Sequence, residues 1–322
     1  RWMGVLFAVL ITVTFGLAFN SVQSNTMSAA LQSAFSIEPL NSGIVISVLT
    51  LVIIFGGVHR IAAISSVIVP VMAVGYIALA LFVVLANIDR IPAVVEQIVG
   101  NAFGWHQAVG GGIGTALMQG IKRGLFSNEA GMGSAPNAAA TAHVTHPAKQ
   151  GFIQALGVFT DTLLICSCTA FIILFGEDYI GSGLDGIQLT QAALTSEVGN
   201  IGGIYVAIAT LFFAYSSILG NYYYGEANIR FFTSRQWPVV LYRMLVGGMV
   251  LFGSLASLNL VWNLADVTMA LMSICNLIAI SLLGKYAFRL LDDYLAQKRK
   301  GIKSPVFHKE QMKDIEQDLE CW

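Results

Sequence analysis

Between Trp2 and Gln23 the chain carries no charged side chain, and apolar runs of this kind recur as far as Leu283. A bilayer core about 30 Å thick takes about 20 apolar residues of helix to cross, so repeated runs of that length commit a chain to crossing a membrane many times. They fall at 2–23, 42–58, 61–87, 150–175, 203–232, 238–258 and 262–283, with one interrupted stretch from 107 to about 142. Pro39, Pro92, Pro147 and Pro238 lie between the runs, where helix ends are expected. The reading is an all-α integral membrane protein of about eight spans over residues 1–284, followed by a polar tail over 285–322. Composition agrees: 11% of the 322 residues are charged, against about a quarter in a soluble domain.

Charge orients the spans. With Arg1 inside, an alternating topology puts His59, Arg60, Lys149, Arg230, Arg235, Arg243 and the basic residues from Lys285 to Lys313 on the cytoplasmic face. Arg90 stays outside among Glu96, Glu177, Asp178, Asp185 and Glu197. The positive-inside rule therefore predicts a multi-pass protein of a bacterial-type plasma membrane with both ends of the chain cytoplasmic. The tail reads as a solvated extension without a specific role. The outer loop 177–200, with a short helix expected at 187–194, is either a lid or a passive connection. The opening Arg-Trp-Met-Gly reads as a cytoplasmic loop entering a span, as if further chain preceded it, and not as a signal peptide. A net charge of −1 argues against a nucleic-acid partner. Cys166, Cys168, Cys275 and Cys321 have neither disulfide-framework nor zinc spacing and read as packing residues.

The interrupted stretch carries the chemistry. It begins as a glycine-rich apolar helix, and then Ser127-Asn-Glu-Ala-Gly-Met-Gly-Ser-Ala-Pro136 stops it, since glycine costs a helix about 1 kcal/mol and proline about 3. Ser134 suits an N-cap and Pro136 a first turn, so the expectation is two half-helices with an unwound joint at 126–133. Unpaired backbone at membrane depth is tolerated only where it lines a cavity or is covered by protein. A half-helix opening at Ser134 would aim N–H groups at a carboxylate, and the carbonyls near Phe126 would suit a cation. The alternative is an ordinary loop between two spans, but 136–142 is too short to cross a bilayer.

Lys122, Arg123 and Glu129 flank or occupy this joint, and Asp161, Glu226 and Asp266 are acids within later spans. Charges at that depth mark either coupling and hinge locking or ion pairs that fix helix packing. Ser216 and Ser217 offer oxygen to a hard cation such as sodium, though serines in membrane helices also bond neighbouring backbone. Gln23, Asn25 and Asn276 are weaker polar candidates. No phosphate loop, hydrolase or metalloprotease pattern is present, and His143 and His146 have no third ligand nearby. Neither an enzyme, a cofactor nor a bound metal other than sodium is expected.

The block 124–140 around Ser127-Asn-Glu-Ala-Gly-Met-Gly-Ser-Ala-Pro136 resembles the alanine/glycine:cation symporter family. So do His146-Pro-Ala-Lys-Gln-Gly151, Gly157-Val-Phe-Thr-Asp-Thr162, Phe213-Ala-Tyr-Ser-Ser-Ile-Leu-Gly-Asn-Tyr222 and Tyr224-Gly-Glu226. The resemblance implies a leucine-transporter-type fold of two inverted five-helix repeats, with core helices one and six broken. By that likeness the chain carries core helices three to ten and lacks the family's N-terminal helices. It also implies sodium-coupled symport of a small neutral amino acid, alanine or glycine, by alternating access. A transport-incompetent fragment and a proton-coupled carrier of the same fold are the alternatives. Phe126, Asn128, Gly131 and Met132 would flank the amino acid, with Phe19 and Gln23 approaching from core helix three. Ser216 and Ser217 on core helix eight would bind sodium. Asn221 stands where many members of the family have Trp, which would enlarge or polarise the pocket and leaves the substrate open.

Overall fold

The computed structural model describes residues 2–56, 58–103, 112–176 and 182–312. Arg1, Gly110, Gly111, Glu177, Asp178, Lys313 and Cys321 lie outside the described residues, as do the side chains of His59 and Arg60. Among the described residues the secondary structure is helical throughout. In chain order the helices are α1 (Trp2–Phe35), α2 (Pro39–Gly56), α3 (Val58–Ala86), α4 (Ile91–Ala102), α5 (Gly112–Asn128), α6 (Ala135–Ala139), α7 (Pro147–Phe175), α8 (Gly186–Val198), α9 (Asn200–Phe232), α10 (Gln236–Leu255) and α11 (Leu258–Arg299). The helix expected at 187–194 is α8.

Proline and glycine set many of these ends. Pro39 and Pro147 open α2 and α7, and α9 follows Gly199 at φ 76°. α1 stops at Ser36, a non-glycine residue held in the left-handed region at φ 55°. Among the described residues, α1, α2, α7, α9, α10 and α11 are each long and apolar enough to cross a membrane. A seventh span results if Pro70–Ala86 and Ile88–Ala102, which meet at 76°, are taken as one broken span. Among the described residues the count is six to seven, beside the eight or so expected. Within the interrupted stretch, α5 ends at Asn128 and α6 is five residues long.

The outward faces are apolar. Val45, Val48 and Val52 on α2 and Leu271, Ile274, Ile278 and Leu282 on α11 are each more than half exposed, at the spacing of one helical face. Such stripes on water would drive aggregation, whereas lipid tails accept them without penalty. Inside, small and polar residues bring the helices together. A Cβ on Gly253 would lie 2.2 Å from the Ser21 carbonyl oxygen, so only glycine lets α10 approach α1 this closely. Asn25 then donates to the carbonyls of Gly253 and Ala256 at 2.9 and 2.8 Å. Interhelical bonds of this kind contribute about 0.6 kcal/mol on average in membranes. α1 and α9 form the centre, with α9 touching α1, α2, α3, α8 and α10. Each of α1 and α7 contains a π-helical segment, Thr14–Phe19 and Thr160–Ile165, a widening of the helix that is frequent at functional sites.

Candidate substrate and ion site

α5 continues two residues past the expected start of the joint and ends at Asn128. The chain then unwinds through three residues of positive φ: Glu129 at 55°, Gly131 at 86° and Gly133 at 89°. The Asn128 side chain begins the turn by accepting from the Ala130 N–H at 2.9 Å, and the Met132 N–H reaches back to the Glu129 carbonyl at 3.1 Å. Gly133 has a second reason to be glycine, since a Cβ there would sit 2.7 Å from both Asn276 Oδ1 and Phe7 Cζ.

The inner half-helix differs from the sequence expectation. Ser134 does not cap it: its backbone is already helical, and its hydroxyl donates to Glu129 Oε2 at 2.5 Å. α6 is barely more than one turn, with Pro136 in that turn as expected. So short a helix sums few peptide dipoles and cannot supply the anion-attracting end read from the sequence. Any affinity for an anion here has to come from individual N–H groups of the unwound segment.

Three side chains from other helices brace the joint. Ser127 donates to Asp161 Oδ2 at 2.6 Å and Asn128 Nδ2 to Thr162 Oγ1 at 2.9 Å, both partners lying in the π segment of α7. From α11, Asn276 Nδ2 donates to the Gly131 carbonyl at 2.9 Å. The joint's far side is apolar: Met132 is fully buried among Ile11, Phe15, Phe19 and Met272. Rings continue from there, with centroids 4.7 Å apart for Phe15–Phe19, 4.5 Å for Phe19–Phe126 and 4.6 Å for Phe126–Trp262.

Two cavities border this assembly. One, of about 450 Å³, is lined by Gln23, Thr26, Tyr76, Asp161, Phe213 and Ser217 among others. The second, of about 540 Å³, lies on the other side of the joint between Gly133, Asn137, Phe7, Tyr223, Cys275 and Asn276.

A family model described as the sodium:alanine symporter family matches residues 1–309. The chain belongs to that family. Among similar proteins are the probable sodium/glutamine symporter GlnT of Bacillus subtilis (strain 168), 55% identical over all of this chain and 67% of its own length, and the amino-acid carrier protein AlsT of the same organism, 52% identical over all of this chain and 68% of its own length. The sodium/alanine symporter AgcS of Methanococcus maripaludis is 39% identical over 88% of this chain and 62% of its own length. The chain thus spans about two thirds of the length of these relatives. A sodium:alanine symporter family member is a membrane transporter of amino acids and not an enzyme.

Set against the residues read from the sequence, the symporter fold brings some together and separates others. Phe19, Phe126 and Met132 meet in the apolar cluster. Gln23, Asp161 and Ser217 share the 450 Å³ cavity. Ser216 and Ser217 both donate to the Phe213 carbonyl, at 2.8 and 3.0 Å, so their free lone pairs remain available to a cation. Asn221 is buried on α9 and its Nδ2 has no partner; it does not line that cavity.

Among the described residues the intramembrane ion pairs form two separate groups, and Glu129 and Asp161 stand apart from both, held by Ser134 and Ser127. Asp266 takes Arg123 through both oxygens at 2.8 and 2.9 Å and Lys122 at 3.3 Å. Arg123 also stacks over Trp262 at 4.1 Å. Glu226 is bound by Arg230 at 2.6 Å and Arg243 at 3.3 Å, and the Tyr222 hydroxyl donates to it as well. Because α9 and α11 are separated by one intervening span, they run in the same direction. Asp266 near the start of α11 and Glu226 near the end of α9 therefore lie toward opposite faces of the layer.

Thr162 and Trp262 are the functional candidates that sequence reasoning passed over. Trp262 carried a usable signal, since it lies one turn from Asp266 on the same helical face. Thr162 closes the block 157–162 that carried the resemblance, but the π segment that turns it toward Asn128 has no plain sequence mark.

Proposed function

We propose that this chain couples the sodium gradient to uptake of a small neutral amino acid, alanine or glycine, by alternating access. The observation that carries the reading is the unwound joint 129–133, held between α7 and α11 by Thr162 on one side and Asn276 on the other. Backbone so held keeps dipoles free for a zwitterion and an ion, as in broken-helix transporters. On this reading Asn128, Gly131 and Met132 flank the amino acid, and Phe19, Gln23 and Phe126 approach it. Ser216 and Ser217 contribute sodium ligands. Thr162 and Asn276 act as positioning residues, since each fixes a group of the joint.

The same reading takes the helices as core elements three to ten of a leucine-transporter-type inverted repeat, with α5 and α6 as the broken sixth. Supporting it, α1 and α11 both pack on the joint, through Phe19 with Phe126 and through Asn276 with Gly131. It places both ends of the chain in the cytoplasm of a bacterial-type plasma membrane. The Asp266 group then stands toward the outer face and the Glu226 group toward the inner one. Rupture of one pair while the other holds would expose the site to one side at a time.

A second reading, glutamine as substrate, is favoured by Asn221, whose buried Nδ2 lacks an acceptor and whose amide complements a carboxamide. Uptake into proteoliposomes under an imposed sodium gradient, with labelled alanine, glycine and glutamine, separates the two. Sodium-driven alanine or glycine uptake is expected. Uptake confined to glutamine would replace the substrate, and uptake driven by a pH gradient without sodium would replace the ion.

A further inference from the structure

Within the described part of the tail, residues 305–312 are not the solvated extension that composition suggests. α11 runs unbroken past residue 284 to Arg299, and the chain then reverses at Gly301, φ 82°. Bonds from the Gly301 N–H to the Lys298 carbonyl and from the Ile302 N–H to the Gln297 carbonyl close the helix end, a reversal that glycine makes possible. The returning strand is gripped on both sides. Toward α11, the Gln297 side-chain amide pairs with the Val306 peptide in both directions, at 2.9 and 3.0 Å. Toward the loop joining α6 to α7, the Phe307 N–H donates to the Thr145 carbonyl at 3.0 Å, and Thr145 Oγ1 donates to the Pro305 carbonyl at 2.9 Å.

Beneath this strap the packing is tight. Phe307 is 5% exposed, Met312 3% and His146 not at all. The His146 ring stands 5.7 Å from Phe307 and 5.1 Å from Tyr294. Its Nδ1 accepts from the Ala148 N–H, which leaves the hydrogen on Nε2, 3.0 Å from Asp293 of α11. The loop so clamped follows directly on α6. Gly133, Pro136, Asn137, Ala140 and Thr141 form one wall of the 540 Å³ cavity, and Cys275, Asn276 and Ala279 of α11 form the facing wall. The rest of its lining comes from α1 and α9; moving the α6 wall away from α11 would widen it, and the strap ties those two together.

We propose that residues 303–312 are a latch, which holds the α6–α7 loop against the end of α11 and slows opening of the cavity beside Cys275. Its meaning as a brake on release to the cytoplasm rests on the transport reading; the opening itself does not. The test is the rate at which a small maleimide alkylates Cys275 in the full chain, with Cys166, Cys168 and Cys321 replaced by serine. Phe307→Asp puts a charge into the buried seat and forces the strap off, and Phe307→Leu keeps it seated. Alkylation several-fold faster in Phe307→Asp, with Phe307→Leu close to the parent, is the expected result. A parent-like or slower rate in Phe307→Asp would overturn the proposal. If that variant loses the parent's melting transition, Gln297→Ala, which removes the two bonds to Val306 and the one to Asp293, decides by the same criterion. Alkylation needs neither sodium nor amino acid, so failed uptake and a failed latch are told apart.

Discussion

Substituting alanine along the joint separates backbone conformation from packing. Gly131 and Gly133 have nearly the same φ, 86° and 89°, so a Cβ at either costs about 1–2 kcal/mol in conformation alone. Their surroundings differ. The Cβ of Gly131→Ala meets nothing nearer than Leu277 at 3.6 Å, ordinary contact, whereas that of Gly133→Ala falls 2.7 Å from Asn276 Oδ1 and Phe7 Cζ. Asn276 must then shift, and its bond to the Gly131 carbonyl goes with it, leaving a carbonyl unpaired at about 1–3 kcal/mol. Gly131→Ala is therefore expected to cost about 1–2 kcal/mol, and Gly133→Ala about 2–5 kcal/mol. Gly124→Ala, a helical site of α5 with nothing within 4 Å, serves as the control and gains up to about 1 kcal/mol. The readouts are melting temperature in detergent and the Vmax and KM of sodium-driven uptake at matched expression. Combining Gly133→Ala with Asn276→Ala should be less than additive, because one contact is lost twice. Gly133→Ala behaving like Gly124→Ala would mean that the joint does not hold these dihedrals.

Asp266→Asn leaves Lys122 and Arg123 without their carboxylate. With both bases partly exposed the loss is about 1–2 kcal/mol and not that of a fully buried pair, and adding Arg123→Gln should restore part of the lost uptake. Ser217→Ala should raise the sodium concentration for half-maximal uptake several-fold, while Glu96→Ala leaves it unchanged; equal effects would remove Ser217 from the ion site. Asn221→Ala should lower uptake of glutamine relative to alanine in a competition assay if the orphaned amide reads a carboxamide. An unchanged ratio would exclude that role.

The membrane class and the place of the break were legible because they rest on local chemistry. Runs without charge fix the spans, and Gly131, Gly133 and Pro136 forbid smooth helix whatever surrounds them. The register of the break was not legible. Ser127 and Asn128 stay helical because their side chains find Asp161 and Thr162 on α7, a contact across more than thirty residues of chain. Nor was the brevity of α6: an alanine-rich run favours helix, but the Thr141 and Ala142 N–H groups tighten to i−3 bonds and the chain turns toward the clamped His146. Charges at depth could be counted from the sequence, yet their division into the Asp266 and Glu226 groups depends on which helices are neighbours. In the tail, polar composition concealed the two apolar residues, Phe307 and Met312, that seat it.

The proposed transport depends on backbone left unwound between Asn128 and Gly133 gripping the amino acid. Its most direct test is an experimental structure of the protein in lipid nanodiscs with sodium and alanine bound. Ligand density against the main chain of residues 128–133 and sodium beside the Ser217 hydroxyl are expected. Ligand density elsewhere with those residues wound into continuous helix would contradict the proposed transport.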